Sequence, residues 1–209
     1  QGTIDEPINN SKGCGGVMRI APAGLFYRKE NAFRMAADFA ALTHGHPSGY
    51  LSAGALAYMI ASIIEGQDIE TAVKNTLIEL ENHENHQECM QSLNQALELS
   101  KSGLSDVDAI SLLGKGWVGE EALGISTYCA LKYKDDFKKA LIAAVNHDGD
   151  SDSTGAITGN ILGAYLGLNK IPADWVEKVE LKEVLTQMAD DLLMGYQEGR
   201  QWWNRYPGY

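Results

Sequence analysis

The segment Val184-Leu-Thr-Gln-Met-Ala-Asp-Asp-Leu-Leu-Met-Gly-Tyr196 carries the pattern that decides the fold class. Seven of its apolar residues fall at positions i, i+1, i+4, i+5, i+8, i+9 and i+12, so they lie on one face of a helix. Similar spacing recurs along most of the chain, and no comparable run alternates apolar and polar residues as a half-buried strand would. The sequence therefore predicts an all-α protein.

The same periodicity predicts where the helices lie, and no long linker or repeat divides them. The apolar stretch Tyr50–Ile64 is shorter than the roughly 18 residues of a membrane span, so we expect a buried core helix there. We interpret the chain as one helical domain over residues 1–209, an orthogonal bundle. The predicted helices cover residues 30–43, 48–65, 69–82, 87–101, 105–113, 119–132, 135–146, 153–168 and 181–200.

Composition excludes several classes of protein. The formal net charge is −11, the wrong sign for a surface that binds nucleic acid, although glycine loops and bound cations still permit a small phosphorylated ligand. The three cysteines are far apart and form no CxxC pair, which argues against a disulfide framework and favours a reducing, cytoplasmic compartment. The opening residues have neither the basic region nor the apolar core of a signal peptide, and no membrane association is expected.

An acidic loop, His147-Asp-Gly-Asp-Ser-Asp-Ser-Thr154, is the strongest candidate for chemistry. Carboxylates at Asp148, Asp150 and Asp152 repel one another, and a hard cation such as Mg²⁺, Mn²⁺ or Ca²⁺ would turn that repulsion into attraction. The alternative is a helix N-cap, because Asp, Ser and Thr at a helix start satisfy free N–H groups. The spacing does not match an EF-hand, and both interpretations remain open.

Two further segments are weaker signals. The run Asn9–Pro22 is rich in glycine and could expose backbone N–H groups to an anion, but it lacks both the P-loop pattern and GxGxxG, so an ordinary turn is equally compatible. His44 follows a predicted helix, where a lone histidine is typical of a cap or a dipole partner. Glycines at 155, 159, 163 and 167 share one helix face and predict the close approach of another helix or, near Gly155, of a ligand.

Taken together, four motifs resemble the ADP-ribosylglycohydrolase family, which includes the dinitrogenase reductase activating glycohydrolase. They are Gly13-Cys-Gly-Gly-Val-Met-Arg19, Thr43-His44, Trp117-Val-Gly-Glu-Glu-Ala-Leu123 and Asn146–Ile157. The resemblance implies an all-α fold, two divalent cations (Mg²⁺ or Mn²⁺) and hydrolysis of the bond between ADP-ribose and a modified side chain, most typically arginine. The implied partner is an ADP-ribosylated protein or a small-molecule ADP-ribose conjugate.

The resemblance also implies roles for individual residues. Asp150 and Asp152 would be catalytic and would bind the metal together with Ser153, which stands where the family commonly has Thr. Asp148 stands where many members have Gly. His44 would contact the phosphate or ribose portion of ADP-ribose, which would lie on a loop formed by Gly13, Cys14, Gly15, Gly16, Val17 and Met18.

One family feature is missing from the sequence. Family members carry an N-terminal Thr-Asp-Asp metal cluster, and no Thr-Asp-Asp occurs in these 209 residues. The expectation is therefore that this chain is the C-terminal portion of a metal-dependent enzyme and is inactive, or nearly so, by itself. The alternative is a non-catalytic ADP-ribose-binding protein or a structural helical protein.

Overall fold

A computed structural model describes residues 2–208, and its regular structure is helical apart from one isolated bridge between Gly13 and Val118. The all-α prediction is confirmed. The helices within the described residues are α1 (Ala21–Phe26), α2 (Lys29–Ala41), α3 (Pro47–Ile64), α4 (Ile69–Leu80), α5 (Gln87–Ser100), α6 (Asp106–Leu113), α7 (Gly119–Lys132), α8 (Phe137–Val145), α9 (Ser151–Leu166), a 3-10 turn (Leu168–Lys170), α10 (Ala173–Lys178), α11 (Lys182–Met194) and α12 (Arg200–Arg205).

Helix α3 is the central helix of the bundle. It packs against α1, α2, α4, α7 and α9, and all its residues except Pro47, Tyr58 and Ile64 are buried. By length and composition alone α3 could cross a membrane, but 83% of that window is buried inside the protein. The prediction of a buried core helix at this position is confirmed.

Polar side chains fix the starts of several helices. Asp68, Ser105 and Asp136 each accept a hydrogen bond from a backbone N–H in the first turn of α4, α6 and α8, at 3.1, 3.2 and 3.0 Å. Such caps satisfy an amide that has no partner inside the helix and typically contribute about 1 kcal/mol.

A polar network joins α6 to α7. Asp106 accepts hydrogen bonds from the hydroxyls of Tyr128 and Tyr133, at 2.7 and 2.8 Å, and pairs with Lys132 at 2.8 Å. Burial raises the pKa of Asp106, but these three partners outweigh it and hold the pKa below its ordinary value. The carboxylate is therefore the favoured form in the folded state.

The chain divides into two compact units, one ending at Pro172 and the other beginning at Ala173. The larger unit holds α1–α9 and the apolar core. Within the smaller unit, Asp191 is buried and accepts hydrogen bonds from Arg205 at 2.6 Å and from the Tyr206 hydroxyl at 2.8 Å. The prediction of one domain over residues 1–209 stays a prediction, and its first and last residues lie outside the described part.

The predicted helix over residues 181–200 is wrong at its C-terminal end. Helix α11 ends at Met194, because Gly195 and Gly199 adopt φ of 70° and 128°, and α12 then begins at Arg200. The apolar pattern continues through Tyr196, so periodicity alone did not show this break. The helices α1, α10 and α12 were not predicted, because six residues are too few to show a repeat.

Candidate functional site

The acidic loop separates Asp148 from Asp150 and Asp152, whose carboxyl groups lie close enough to interact. Asp148 is fully exposed and lies 3.7 Å from Lys115, whereas Asp150 is buried and Asp152 is exposed in the first turn of α9. Backbone contacts with Lys115 fix the loop: its carbonyl accepts from the Asp150 N–H at 2.8 Å, and a Cβ on Gly149 would lie only 2.0 Å from that oxygen. Asp148 therefore points away from the other two.

Asp150 occupies the N-cap position of α9, yet among the described residues its side chain accepts no capping hydrogen bond. Its Oδ2 instead accepts a hydrogen bond from the Cys14 thiol at 2.7 Å, across 136 residues of sequence. The capping hydrogen bond is thus absent for this side chain, although the Ser153 N–H in the first turn of α9 still helps to lower the pKa of Asp150. Its partner is the glycine loop.

Neighbouring groups decide the charge of Asp150. Burial raises the pKa of this carboxyl, but contacts with Asp152, Cys14 and Ser153 outweigh burial, so the pKa lies below its ordinary value. Asp150 therefore favours the carboxylate form, in which a buried negative charge faces the glycine loop.

Cys14 is a hydrogen-bond donor rather than a nucleophile. Burial and the adjacent Asp150 raise the pKa of its thiol to about 11, so the thiol keeps its proton near neutral pH. Its sulfur also lies 3.4 Å from the Ser153 hydroxyl, which in turn donates to the Met18 sulfur at 3.2 Å. The structure therefore brings Cys14, Met18, Asp150 and Ser153 together, and their roles toward a ligand or metal stay predictions.

The glycine loop is held by α7 as well as by α9. The Cys14 N–H donates to the Trp117 carbonyl at 3.1 Å, and the Gly119 N–H donates to the Lys12 carbonyl at 2.8 Å. Trp117 is 60% exposed. This pairing aligns the start of α7 beside the loop and explains why a segment without helical residues has a defined path.

The loop residues do not all face the same way. Gly13 and Gly15 lie against the His44 ring, where an added Cβ would come within 3.6 and 3.1 Å of Nε2. An added Cβ on Gly16 would meet the Gly49 carbonyl at 3.1 Å, and Val17 is fully buried in the core. The side chain of Val17 is therefore unavailable to a ligand, although its backbone still belongs to the loop.

The side chain of His44 does not cap the helix before it, although the His44 backbone N–H donates to the Ala40 carbonyl at 2.9 Å. Its Nδ1 lies 2.8 Å from the Thr43 hydroxyl, and its ring covers the glycine loop. Burial, assisted by the nearby Arg19 guanidinium, lowers the pKa of the imidazole. His44 is therefore neutral near pH 7 and is placed against the loop, while its candidate role as a ligand contact stays a prediction.

An ion network under the loop was not found from the sequence. The Lys12 ammonium pairs with Glu120 at 2.5 Å and with Glu88 at 2.8 Å, and Glu88 also accepts a short hydrogen bond from Ser48. Glu120 is buried, and its second oxygen finds no hydrogen-bond partner among residues 2–208. No local pattern links these residues, because Lys12 and Glu88 are 76 positions apart.

The donor atoms that could hold a cation are the carboxylates of Asp150 and Asp152 and the Ser153 hydroxyl. Hard oxygen donors of this kind suit Mg²⁺ or Mn²⁺. In the described part of the chain, however, no group of three or more His, Cys, Asp or Glu side chains is placed to hold a metal ion. These three residues could therefore supply some of the ligands of a cation but not a complete coordination shell.

The sequence has two Asp-Asp pairs, Asp135-Asp136 and Asp190-Asp191, and one member of each has partners within its own unit. Asp136 caps α8, and Asp191 is held inside the smaller unit by Arg205 and Tyr206.

The glycines on one face of α9 differ in how closely other elements approach them. A Cβ added to Gly155 would lie 2.7 Å from Val145, whereas one added to Gly163 would meet no described atom of another element within 4 Å. Close helix packing is confirmed only near the first turn.

Comparison with known proteins gives a consistent picture. The family model described as ADP-ribosylglycohydrolase matches residues 2–201. ADP-ribosylhydrolase ARH3 of Homo sapiens is 25% identical over 215 residues, covering 90% of this chain and 59% of the relative. ADP-ribosylarginine hydrolase Tri1 of Serratia proteamaculans is 25% identical over 182 residues, covering 86% of this chain and 46% of the relative.

A solved structure shares the fold. The chain titled "ADP-ribosylglycohydrolase-related protein complex" superposes with a TM-score of 0.74 at 24% identity, covering 90% of this chain and 62% of that one. This chain thus spans between about half and three fifths of the length of these proteins.

Proposed function

The chain belongs to the ADP-ribosylglycohydrolase family, and from that premise we propose that it supplies the ADP-ribose site of a metal-dependent glycosidic-bond hydrolase. The bond cleaved joins ADP-ribose to a modified side chain, through nitrogen or oxygen. The observation that carries the proposal is the contact between Cys14 and Asp150 at 2.7 Å. It joins the acidic loop to the glycine loop, two motifs that the sequence separates widely.

The glycine loop offers space and donors for the ligand. Gly13 and Gly15 leave the surface beside His44 free of side-chain atoms, and a neutral imidazole can donate one hydrogen bond there. A pyrophosphate or ribose oxygen of ADP-ribose is the acceptor that we assign to this place. The net charge of −11 makes such local donors necessary, because the protein as a whole repels anions.

The acidic loop serves the reacting end of the ligand. A divalent cation, when bound, would supply Lewis-acid chemistry and a more acidic water. Asp150, Asp152 and Ser153 are the residues of this chain that would hold it. Asp150, kept in its carboxylate form by its neighbours, also places negative charge where the sugar ring of a glycoside becomes positive during cleavage.

Arginine is the side chain that we assign to the substrate. The Serratia relative is named an ADP-ribosylarginine hydrolase, and an acidic protein favours the approach of a cationic guanidinium partner. The substrate would be an ADP-ribosylated protein or a small ADP-ribosyl-arginine conjugate. Each is cleaved to ADP-ribose and a free guanidine by the same addition of water.

The test is a thermal melt of the 209-residue chain with millimolar MgCl₂ or MnCl₂, with and without ADP-ribose. Ligand that binds only the folded state at about one hundred times its Kd stabilises by about 2.7 kcal/mol. At about 2–4 °C per kcal/mol for a domain of this size, the melting temperature should rise by about 5–10 °C. The shift should vanish in Asp150→Asn/Asp152→Asn and persist in Asp148→Asn, a matched change in the same loop.

A second candidate, ADP-ribose binding without turnover, is favoured by the small number of carboxylates at the site. Release of arginine from ADP-ribosyl-arginine, measured with and without EDTA, separates the two. We expect binding without ordinary turnover from the 209 residues alone. Turnover at an ordinary rate would show that the described ligands suffice, and the absence of a melting shift with either metal would contradict the proposal for this chain.

A further inference from the structure

Three side chains from two loops form a short hydrogen-bonded relay beside the glycine loop. Arg19, which follows the loop directly, donates from Nη2 to the Thr43 hydroxyl oxygen at 2.6 Å. The same oxygen lies 2.8 Å from Nδ1 of His44. The relay is Arg19, Thr43 and His44, in that order.

The chemistry of the three groups sets the direction of the relay. A guanidinium can only donate, so the Thr43 oxygen is an acceptor toward Arg19. The single hydroxyl proton of Thr43 then goes either to His44 Nδ1 at 2.8 Å or to the Ala40 carbonyl at 3.4 Å. The shorter contact is the stronger one, and a second N–H aimed at this oxygen would face the Arg19 cation. Nδ1 of His44 is therefore the acceptor.

A neutral imidazole that accepts at Nδ1 must carry its proton on Nε2. Nε2 is also the atom that lies against Gly13 and Gly15, and it makes no hydrogen bond to any atom in residues 2–208. Its N–H is therefore unused in the protein. It lies beside Gly13 and Gly15, which have no side chain to cover it.

Hydrogen bonds from the segment before the glycine loop fix the backbone on either side of His44. The Asn9 side chain donates to the Thr43 carbonyl at 2.9 Å and accepts from the Gly45 N–H at 3.1 Å. The His46 N–H donates to the Ser11 carbonyl at 3.2 Å. The loop that carries His44 and the segment that leads into the glycine loop thus form one structural unit.

We propose that Arg19 and Thr43 are positioning residues, which fix the imidazole of His44 as the tautomer with its proton on Nε2 and present that N–H to an anionic oxygen of the ligand. The identity of that ligand as ADP-ribose rests on the proposed function. The tautomer itself does not depend on it. Arg19 acts through Thr43 and needs no contact with the ligand.

The test uses two-bond ¹H–¹⁵N spectra of the ligand-free 209-residue chain labelled at histidine. Protonated and unprotonated ring nitrogens resonate far apart, and His44→Gln identifies the signals of His44 among the five histidines. In the unsubstituted chain we expect a protonated Nε2 and an unprotonated, hydrogen-bonded Nδ1. In Thr43→Val, which keeps the shape but loses the hydroxyl, the two shifts should move toward each other, and Thr43→Ser should restore them.

Affinity for ADP-ribose, measured by titration calorimetry, gives the second readout. Thr43→Val releases the ring but leaves the Nε2–H donor available, so it should weaken binding about threefold, whereas Thr43→Ser should bind like the unsubstituted chain. Arg19→Met should shift the His44 signals in the same direction as Thr43→Val, whereas Arg34→Met, an exposed arginine on α2, should leave them unchanged.

Two results would overturn the assignment: a His44 that carries its proton on Nδ1 in the unsubstituted chain, or identical ring spectra for that chain and Thr43→Val. Failure of the unsubstituted chain to bind ADP-ribose would instead contradict the proposed function. The spectra are recorded without ligand, so the tautomer is decided independently.

Discussion

Lys12→Met is the substitution that best tests how the glycine loop is held. It removes the ammonium shared by Glu120 and Glu88, whose side chains are 11% and 51% exposed. Glu88 remains solvated after the change, but Glu120 would keep a buried charge, and its second oxygen already finds no partner in the described structure. Breaking a buried ion pair from one side costs about 3–5 kcal/mol. Because the side chain of Lys12 is itself 31% exposed, we expect a smaller loss than that, about 2–3 kcal/mol.

The assay is urea unfolding followed by circular dichroism, with a thermal melt beside it. A loss of that size corresponds to a fall in melting temperature of about 5–10 °C for a domain of this length. Glu88→Gln should cost no more than about 1 kcal/mol, because its side chain is half exposed. Lys12→Met/Glu120→Gln should recover most of the loss, since the buried charge is gone. Equal losses for Lys12→Met and Glu88→Gln, or no recovery in the double variant, would refute the reasoning.

Three other substitutions or treatments give independent checks. Gly49→Ala should lower the free energy of unfolding, measured in urea, by about 1–3 kcal/mol, because the added Cβ would lie 2.8 Å from a backbone carbonyl oxygen. Gly163→Ala should raise it by up to about 1 kcal/mol, because no described atom of another element lies within 4 Å of the added Cβ. The pKa of Asp106 in the folded state lies below its ordinary value, so the carboxylate stabilises the fold above about pH 4, and this stabilisation is lost as the pH falls through the folded-state pKa. In Asp106→Asn the melting temperature should therefore fall less steeply as the pH is lowered. Cys14, buried and with its pKa raised to about 11, should resist iodoacetamide at pH 7.5 in the folded chain and react in urea, as mass spectrometry would show.

Periodicity predicted the longer helices well, both where burial is one-sided, as in α5, and where most of the helix is buried, as in α7. Helix α5 spans Gln87–Ser100 against a predicted 87–101, and α7 matches its predicted range of 119–132. The exception at Gly195 arises because a left-handed backbone ends a helix without interrupting its apolar pattern. Such a helix end depends on the backbone conformation of the glycine, and the spacing of apolar residues carries no information about that conformation.

For the candidate site, the sequence predicted the kind of chemistry better than it predicted which side chains are buried. The residue types of the acidic loop indicated oxygen chemistry, but nothing local shows that Asp150 is buried while Asp148 is exposed. That difference accompanies two contacts from elsewhere in the chain: the Lys115 carbonyl fixes the backbone of the loop, and the fold brings Cys14 to Asp150 across 136 residues. Long-range pairs of this kind, like Lys12 with Glu120, have no signature in a single sequence.

The glycine loop shows why those pairs matter. A loop with little regular structure has many accessible conformations, so a defined shape requires contacts that exclude the alternatives. Four independent contacts do so: Cys14 with Asp150, Lys12 with Glu120, the Gly13 backbone with Val118, and the packing of His44. Two of them link the loop to the start of α7, one to the start of α9 and one to the segment that follows α2, so losing one should loosen the loop without unfolding it. Ligand affinity should therefore fall in Lys12→Met/Glu120→Gln even where stability recovers, because the loop would be less pre-ordered for binding.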